Sequence, residues 1–244
     1  LVTGGAHRLG RAIVLALGGA GAKVVVHYHR SAEKAEALLE ELGELKVEAT
    51  SIGGDLANVA EAERVVDAAI DHWGRLDLLV NSAGIWSATP LGTVTQAHWD
   101  ELIDTNLRSA FFTSQRAAPA LRAARGAIVN IADVGVLRPW RNYTPYLVSK
   151  GGIATLTKAL AKDLAPEVRV AKDLAPEVRV NAIAPGPVLL PEDWTAEQTQ
   201  QTIRSVLLRR LGAPEDVAQA VIYLAQADYV TGVLLPVDGG HRLN

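Results

Sequence analysis

Short runs of β-branched and aliphatic residues recur along the chain, each followed by a longer stretch of helical periodicity. No other feature limits the fold as strongly. Lys23–Tyr28, Lys46–Ile52, Leu76–Asn81, Ala127–Ala132 and Val178–Ala184 read as strands, and Leu1-Val2 as the stub of a first one. Their near-continuous apolar character suits strands covered on both faces. Leu9–Ala20, Ala32–Leu42, Val59–Trp73, Gln96–Arg116, Tyr146–Leu164 and Pro214–Ala225 read as the helices between them. Such alternation predicts an α/β chain with a doubly wound parallel sheet. No linker or shift in composition divides residues 1–244, which read as a single domain.

Composition excludes several function classes. The chain has no cysteine, so disulfides, thiolate metal sites and a cysteine nucleophile are absent, and no other metal-ligand cluster is expected. A net charge of −3 without long runs of one sign gives no electrostatic support for nucleic-acid binding. No stretch approaches the roughly 18 consecutive apolar residues of a membrane helix. No signal peptide is visible, and the expected setting is the cytoplasm. Methionine is absent even at position 1, so Leu1 is not expected to be the native start.

One feature resists the pattern. Ala161–Val170 reads AKDLAPEVRV and Ala171–Val180 repeats it letter for letter. Either copy could close a helix and lead into a strand, but a helix continuing through both would carry Pro166 in its interior. The repeat is read as an artefact of the sequence record, with a ten-residue loop insertion as the alternative.

The first strand leads into Thr3-Gly4-Gly5-Ala6-His7-Arg8-Leu9-Gly10 and then an apolar helix. Gly4 and Gly10 bracket a turn where backbone can approach a pyrophosphate at the positive end of the helix. Alone, this turn is equally an ordinary strand-to-helix loop. The second strand ends in His29-Arg30-Ser31, without the carboxylate that would hold the ribose hydroxyl of NAD. A cation there suits the 2′-phosphate of NADP, and Arg8 can add a second one.

Together these motifs resemble the short-chain dehydrogenase/reductase family. The glycine turn matches that family's, with Arg8 where the middle glycine usually stands. Asp55-Leu56, Asn81-Ser82-Ala83-Gly84, Asn106, Tyr146-x-x-x-Lys150 and Asn181…Pro185-Gly186 follow in the family's order. The resemblance implies a Rossmann-type fold and a nicotinamide cofactor contacting Gly4, Arg8, Leu9, Gly10, His29, Arg30, Ser31, Asp55, Leu56, Asn81, Ala83, Gly84, Tyr146, Lys150, Pro185 and Gly186. It implies Tyr146 as proton donor, Lys150 lowering the Tyr146 pKa, Asn106 supporting a water relay, and a homotetramer formed through the helices at 96–116 and 146–164.

The informative departure is Asp133, thirteen residues before Tyr146, where the family normally has serine. An ionised carboxylate repels a developing oxyanion and suits a nitrogen heterocycle with N–H donors. Arg8, His27–Ser31, Asp133 and Trp86 together resemble the pteridine reductases. That subfamily implies a pterin stacked between nicotinamide and Trp86, with Arg8, Asp133 and Tyr146 also touching it. Leu190 replaces a threonine common in the family, and Pro187–Thr202, with Pro191, Glu192, Asp193 and Trp194, is expected to be a mobile lid. The expected activity is NADPH-dependent reduction of a dihydropterin, a pterin or a folate. The alternatives are an NADPH-dependent carbonyl reductase of 3-oxoacyl or sugar ketones, and a non-catalytic NADP-binding protein.

Overall fold

A computed structural model describes residues 1–165, 178–191 and 193–244. Seven parallel strands form one sheet in the order β3-β2-β1-β4-β5-β6-β7. They are β1 (Val2–Thr3), β2 (Val24–Tyr28), β3 (Ala49–Gly53), β4 (Leu78–Asn81), β5 (Ala127–Ile131), β6 (Arg179–Pro185) and β7 (Leu234–Val237). The helices are α1 (Arg8–Gly19), α2 (Ala32–Glu44), α3 (Val59–Trp73), α4 (Gln96–Ile103), α5 (Ser109–Ala124), α6 (Thr144–Asp163), α7 (Ala196–Ser205) and α8 (Pro214–Gln226).

Alternation along each strand decides which helix it meets, because successive side chains leave opposite faces. Val24 and Val26 pack with Ile13 of α1, Leu38 of α2 and Val221 of α8. Val25 faces the other way, onto a core shared with Val66 of α3, Leu121 of α5 and Leu160 of α6. Leu79 and Val80 divide in the same manner. Both faces are therefore covered, which is why the strands read as unbroken apolar runs. Burying each such side chain contributes about 1.5–3 kcal/mol.

The sheet grows outward in both directions from β1, whose Val2 pairs with Val26 on one side and Val80 on the other. That reversal opens a crevice at the carboxyl ends of the central strands. The Gly4–Gly10 turn, Asn81–Gly84, Asp133 and Gly186 all follow the ends of these strands.

One expected helix is corrected, and three further segments gain definition. The helix expected over Gln96–Arg116 is two helices joined by a π-helical turn at Asp104–Arg108. The second of them runs on to Ala124 past Pro119, held by the buried Ala117, Ala118 and Leu121. Strand β7 follows a short loop signal and is only partly buried, so its apolar run was not distinctive. The lid segment carries a helix, α7, started by a reciprocal capping box between Thr195 and Gln198; Glu192 lies outside the described residues. The first copy of the repeated decapeptide closes α6, and the second supplies the start of β6. Val178 N–H donates to Leu164 O at 3.3 Å, so the approach to β6 starts beside the end of α6. The rest of the repeat, 166–177, lies outside the described residues.

Candidate active site

The glycine turn is close-packed backbone. A Cβ on Gly10 would lie 2.1 Å from Gly4 O, and one on Gly4 would lie 2.9 Å from Ala83 Cα. Gly4 also has φ +63. Arg8 has φ +50, a left-handed conformation that favours glycine, so the position where this chain departs from the glycine pattern carries backbone strain. Its guanidinium donates to Leu189 O at 2.9 Å and lines the substrate cavity, whose walls do not include Arg30. Arg8 thus stands on a wall that Arg30 does not share.

Two residues fix this turn. Thr3 Oγ1 accepts the Ser82 and Ala83 N–H groups, each at 3.0 Å, tying β1 to the loop after β4. His27, buried at 2% exposure in β2, accepts from Gly4 N–H through Nδ1 at 3.0 Å. Its Nε2–H therefore donates to Gly54 O, also at 3.0 Å. Burial lowers the His27 pKa to about 4, so the ring is neutral in this bridging role. His27 was not singled out as a site residue. Its signal was a lone polar residue inside a buried apolar strand.

At the far end of the turn, Arg30 is exposed and has no hydrogen bond or ion pair among the described residues. Ser31 occupies the N-cap position of α2, yet its hydroxyl caps nothing. His29 Nε2 lies 3.9 Å from Asp55 Oδ2, while Asp55 Oδ1 accepts from Ala57 N–H. Leu56 is buried beneath them. The close-packed glycine turn at the α1 N-terminus and the unused Arg30 fit a dinucleotide carrying a 2′-phosphate. Pro185 ends β6, and a Cβ on Gly186 would lie 2.6 Å from Asp238 Cα, so only glycine fits there.

Asn81 belongs to the scaffold. Its amide donates to Ser114 Oγ and Asn130 Oδ1 and accepts from Thr113 Oγ1, all within the interior. Its side chain ties the end of β4 to α5 and β5.

Asp133, Tyr146 and Lys150 come together. Tyr146 Oη donates to Asp133 Oδ2 at 2.7 Å, and Gly135 N–H donates to Asp133 Oδ1 at 2.7 Å. Burial pushes the Asp133 carboxyl above its ordinary range despite these bonds. Burial and the neighbouring carboxylate push the Tyr146 phenol well above its usual value. This reverses the expectation that Lys150 lowers it: Lys150 Nζ donates to Ile131 O at 2.9 Å, not to Tyr146. Burial lowers the Lys150 ammonium to about 8, partly opposed by Asp133. The resting phenol is therefore protonated, as a proton donor must be.

Asn106, buried in the π-turn, clamps two elements of the site through its side chain. Its amide accepts from Ile85 N–H (2.8 Å) and donates to Ile85 O and Ser149 Oγ, both at 3.0 Å. It holds the loop after β4 to α6, which carries Tyr146 and Lys150.

These groups border a cavity of about 1020 Å³ whose wall includes Arg8, Trp86, Asp133, Tyr146, Leu190 and Trp194. Trp86 stacks on Tyr143, with centroids 4.7 Å apart and planes 19° off parallel. Trp140 meets Tyr143 edge-on at 6.4 Å. Trp86 remains 44% exposed, so part of its surface is open to a ligand. Tyr143, Trp140, Arg138, Ser205 and His241 also line the wall and were not anticipated. The aromatic pair just before Tyr146 was the available signal for two of them.

Comparison with known proteins agrees with this geometry. Residues 4–242 match the family model described as enoyl-(acyl carrier protein) reductase. A protein of Streptomyces violaceoruber named as ketoacyl reductase 2 of the granaticin polyketide synthase is 37% identical, over 100% of this chain and 95% of that protein. The 3-oxoacyl-[acyl-carrier-protein] reductase FabG of Staphylococcus aureus is 35% identical, over 98% of this chain and 96% of that one. A mutant short-chain dehydrogenase/reductase of Serratia marcescens superposes with a TM-score of 0.89 at 33% identity, covering 98% of this chain and 95% of that structure. These relatives are named as ketoacyl or 3-oxoacyl reductases or as a short-chain dehydrogenase/reductase, not as pterin reductases. No helix among the described residues is long and apolar enough to cross a membrane. With its sheet order, its glycine turn and its Tyr146–Lys150 pair, the chain belongs to the short-chain dehydrogenase/reductase family.

Proposed function

We propose that the protein is an NADPH-dependent reductase whose substrate is a dihydropterin or a similar flat nitrogen heterocycle. The observation that carries this is the Asp133–Tyr146 hydrogen bond in an aromatic-walled cavity. A carbonyl oxygen gaining negative charge beside a buried carboxylate is disfavoured. A ring with N–H groups is held by that same carboxylate, and its imine nitrogen needs the proton that Tyr146 carries.

NADPH, when bound, supplies the hydride that reduces the ring C=N carbon. Gly4, Gly10 and the α1 N-terminus would hold its pyrophosphate, Arg30 and Ser31 its 2′-phosphate, and Lys150 its nicotinamide ribose. Tyr146 delivers its phenolic proton to the ring nitrogen. Asp133 accepts from the ring N–H groups, and the Lys150 ammonium, close enough to Asp133 to interact with it, offsets part of the negative charge left when the phenol gives up its proton. Trp86 and Tyr143 supply a stacking wall for the ring.

A second reading, reduction of a 3-oxoacyl thioester, has the better support from the comparisons, since the relatives carry such names. Against it stands Asp133 in place of the hydroxyl that would hold the ketone. The test is NADPH oxidation by the purified protein with a dihydropterin and a 3-oxoacyl thioester in parallel. Turnover of the dihydropterin supports the proposal. Turnover of the thioester alone overturns it in favour of the second reading. We further propose a homotetramer built on α4, α5 and α6. The half-exposed Trp99 and Phe111 on the first two support this, and light scattering of the eluting protein gives the mass.

A further inference from the structure

His241 opens a short 3₁₀ turn, His241–Leu243, after the positive-φ pair Gly239 and Gly240. The turn is firmly built: Asp238 accepts from Gly240 N–H, from Arg242 N–H and from the Arg242 guanidinium. This brings the imidazole to the cavity wall against α7, and against the loop that follows Asp133. Its carbonyl accepts from Arg138 at 2.8 Å.

The hydrogen bonds assign the tautomer. Ser205 Oγ spends its proton on Thr202 O at 2.6 Å. Its contact with His241 Nδ1 at 3.0 Å must then have the imidazole donating. Nε2 is left with the lone pair. Arg138 Nη1 lies 3.5 Å from Nε2 and equally far from Nδ1, at the outer limit of hydrogen-bond range, and donates more closely to the carbonyl. The imidazole sits close enough to the Asp133 carboxylate for the two to interact electrostatically. Burial and the Arg138 charge lower the imidazole pKa, opposed by the Ser205 backbone carbonyl, Asp238 and Asp133.

We infer that His241 is a specificity-determining residue: its Nε2 is a second hydrogen-bond acceptor beside Asp133, selecting substrates that present more than one N–H donor. This rests on the pterin reading and deepens it. The ring edge of a 2-amino-4-oxopteridine carries several such donors, and a 3-oxoacyl group carries none at its reacting end.

The test separates the two ends of the imidazole. His241→Gln keeps a polar atom near the Nε2 position and gives up the link to Ser205. His241→Asn keeps the Ser205 link and withdraws from the cavity. KM and kcat for dihydrobiopterin are measured for both and for His241→Phe, with NADPH affinity and Tm as folding controls. The expected result is a KM raised at least about tenfold in the Asn and Phe variants, within about threefold of wild type in the Gln variant, and kcat little changed. Rescue by Asn and not by Gln would overturn the inference and leave His241 as a tether for α7. Wild-type KM in all three would overturn it while leaving the pterin reading intact. Failure of the wild-type protein to turn over dihydrobiopterin would overturn both.

Discussion

At the residue scale, the chemistry depends on where protons rest. Tyr146 is buried, bonded to a carboxylate, and therefore protonated at rest. Replacing it with phenylalanine removes the proton donor and should lower kcat by roughly 10²–10⁴-fold with NADPH affinity nearly unchanged; steady-state and binding measurements on one preparation check both. Asp133→Ser exchanges the carboxylate for a neutral donor. It should reduce dihydropterin turnover and raise activity on a 3-oxoacyl thioester, and loss of neither substrate preference would count against the role given to Asp133. Lys150 gives the pH dependence. Its ammonium is lost as pH rises through about 8, so the activity of the wild-type protein should fall over that range. The sequence placed Tyr146 and Lys150 on one helix face, since i and i+4 on a helix share a face. It misjudged their protonation, because the Tyr146 partner, Asp133, comes from the loop after another strand. Burial depends on everything packed around the pair. Asn106 shows the same: its motif position was legible, while the three bonds that make it a clamp depend on Ile85 and Ser149.

At the scale of elements, the strand-to-helix junctions do the binding, and each has a sharp requirement. Gly10→Ala would press a methyl into Gly4 O, so it should reduce NADPH affinity at least about tenfold while the rest of the fold persists. Calorimetric titration with NADPH measures this. At the end of β2, Arg30→Ala should weaken NADPH binding by roughly 10–100-fold and leave NADH little changed, because only the former carries the phosphate. Equal effects on both cofactors would move the 2′-phosphate elsewhere. Most elements could be read in the sequence because their apolar period matched their environment. The exceptions have local causes. The π-turn between α4 and α5 has no periodic signature, and α5 continues through Pro119 because its buried face outweighs one missing backbone bond. Helix α7 is polar throughout, and its capping box was the one sign that it starts at Thr195.

At the scale of the whole molecule, the buried ammonium of Lys150 links activity and stability with opposite signs. The folded pKa of about 8 lies below the ordinary value of 10.5, so between these two pH values the unfolded chain binds the extra proton. Stability should therefore rise with pH across this window while activity falls, which denaturant unfolding at several pH values tests directly. The sequence by itself determined the alternation of strands and helices, the parallel sheet that alternation demands, and the order of the glycine turn, Asp133, Tyr146 and Lys150. These follow from short-range periodicity and fixed spacing, which are properties of neighbouring residues. Only the tertiary structure decided that His27 bridges two loops, that Arg8 faces Leu189, that Trp86 rests on Tyr143 and that His241 reaches the cavity. Each of these contacts joins residues far apart in sequence or set by loop geometry. Solvent exclusion at the meeting point, not local pattern, fixes their partners and their charge.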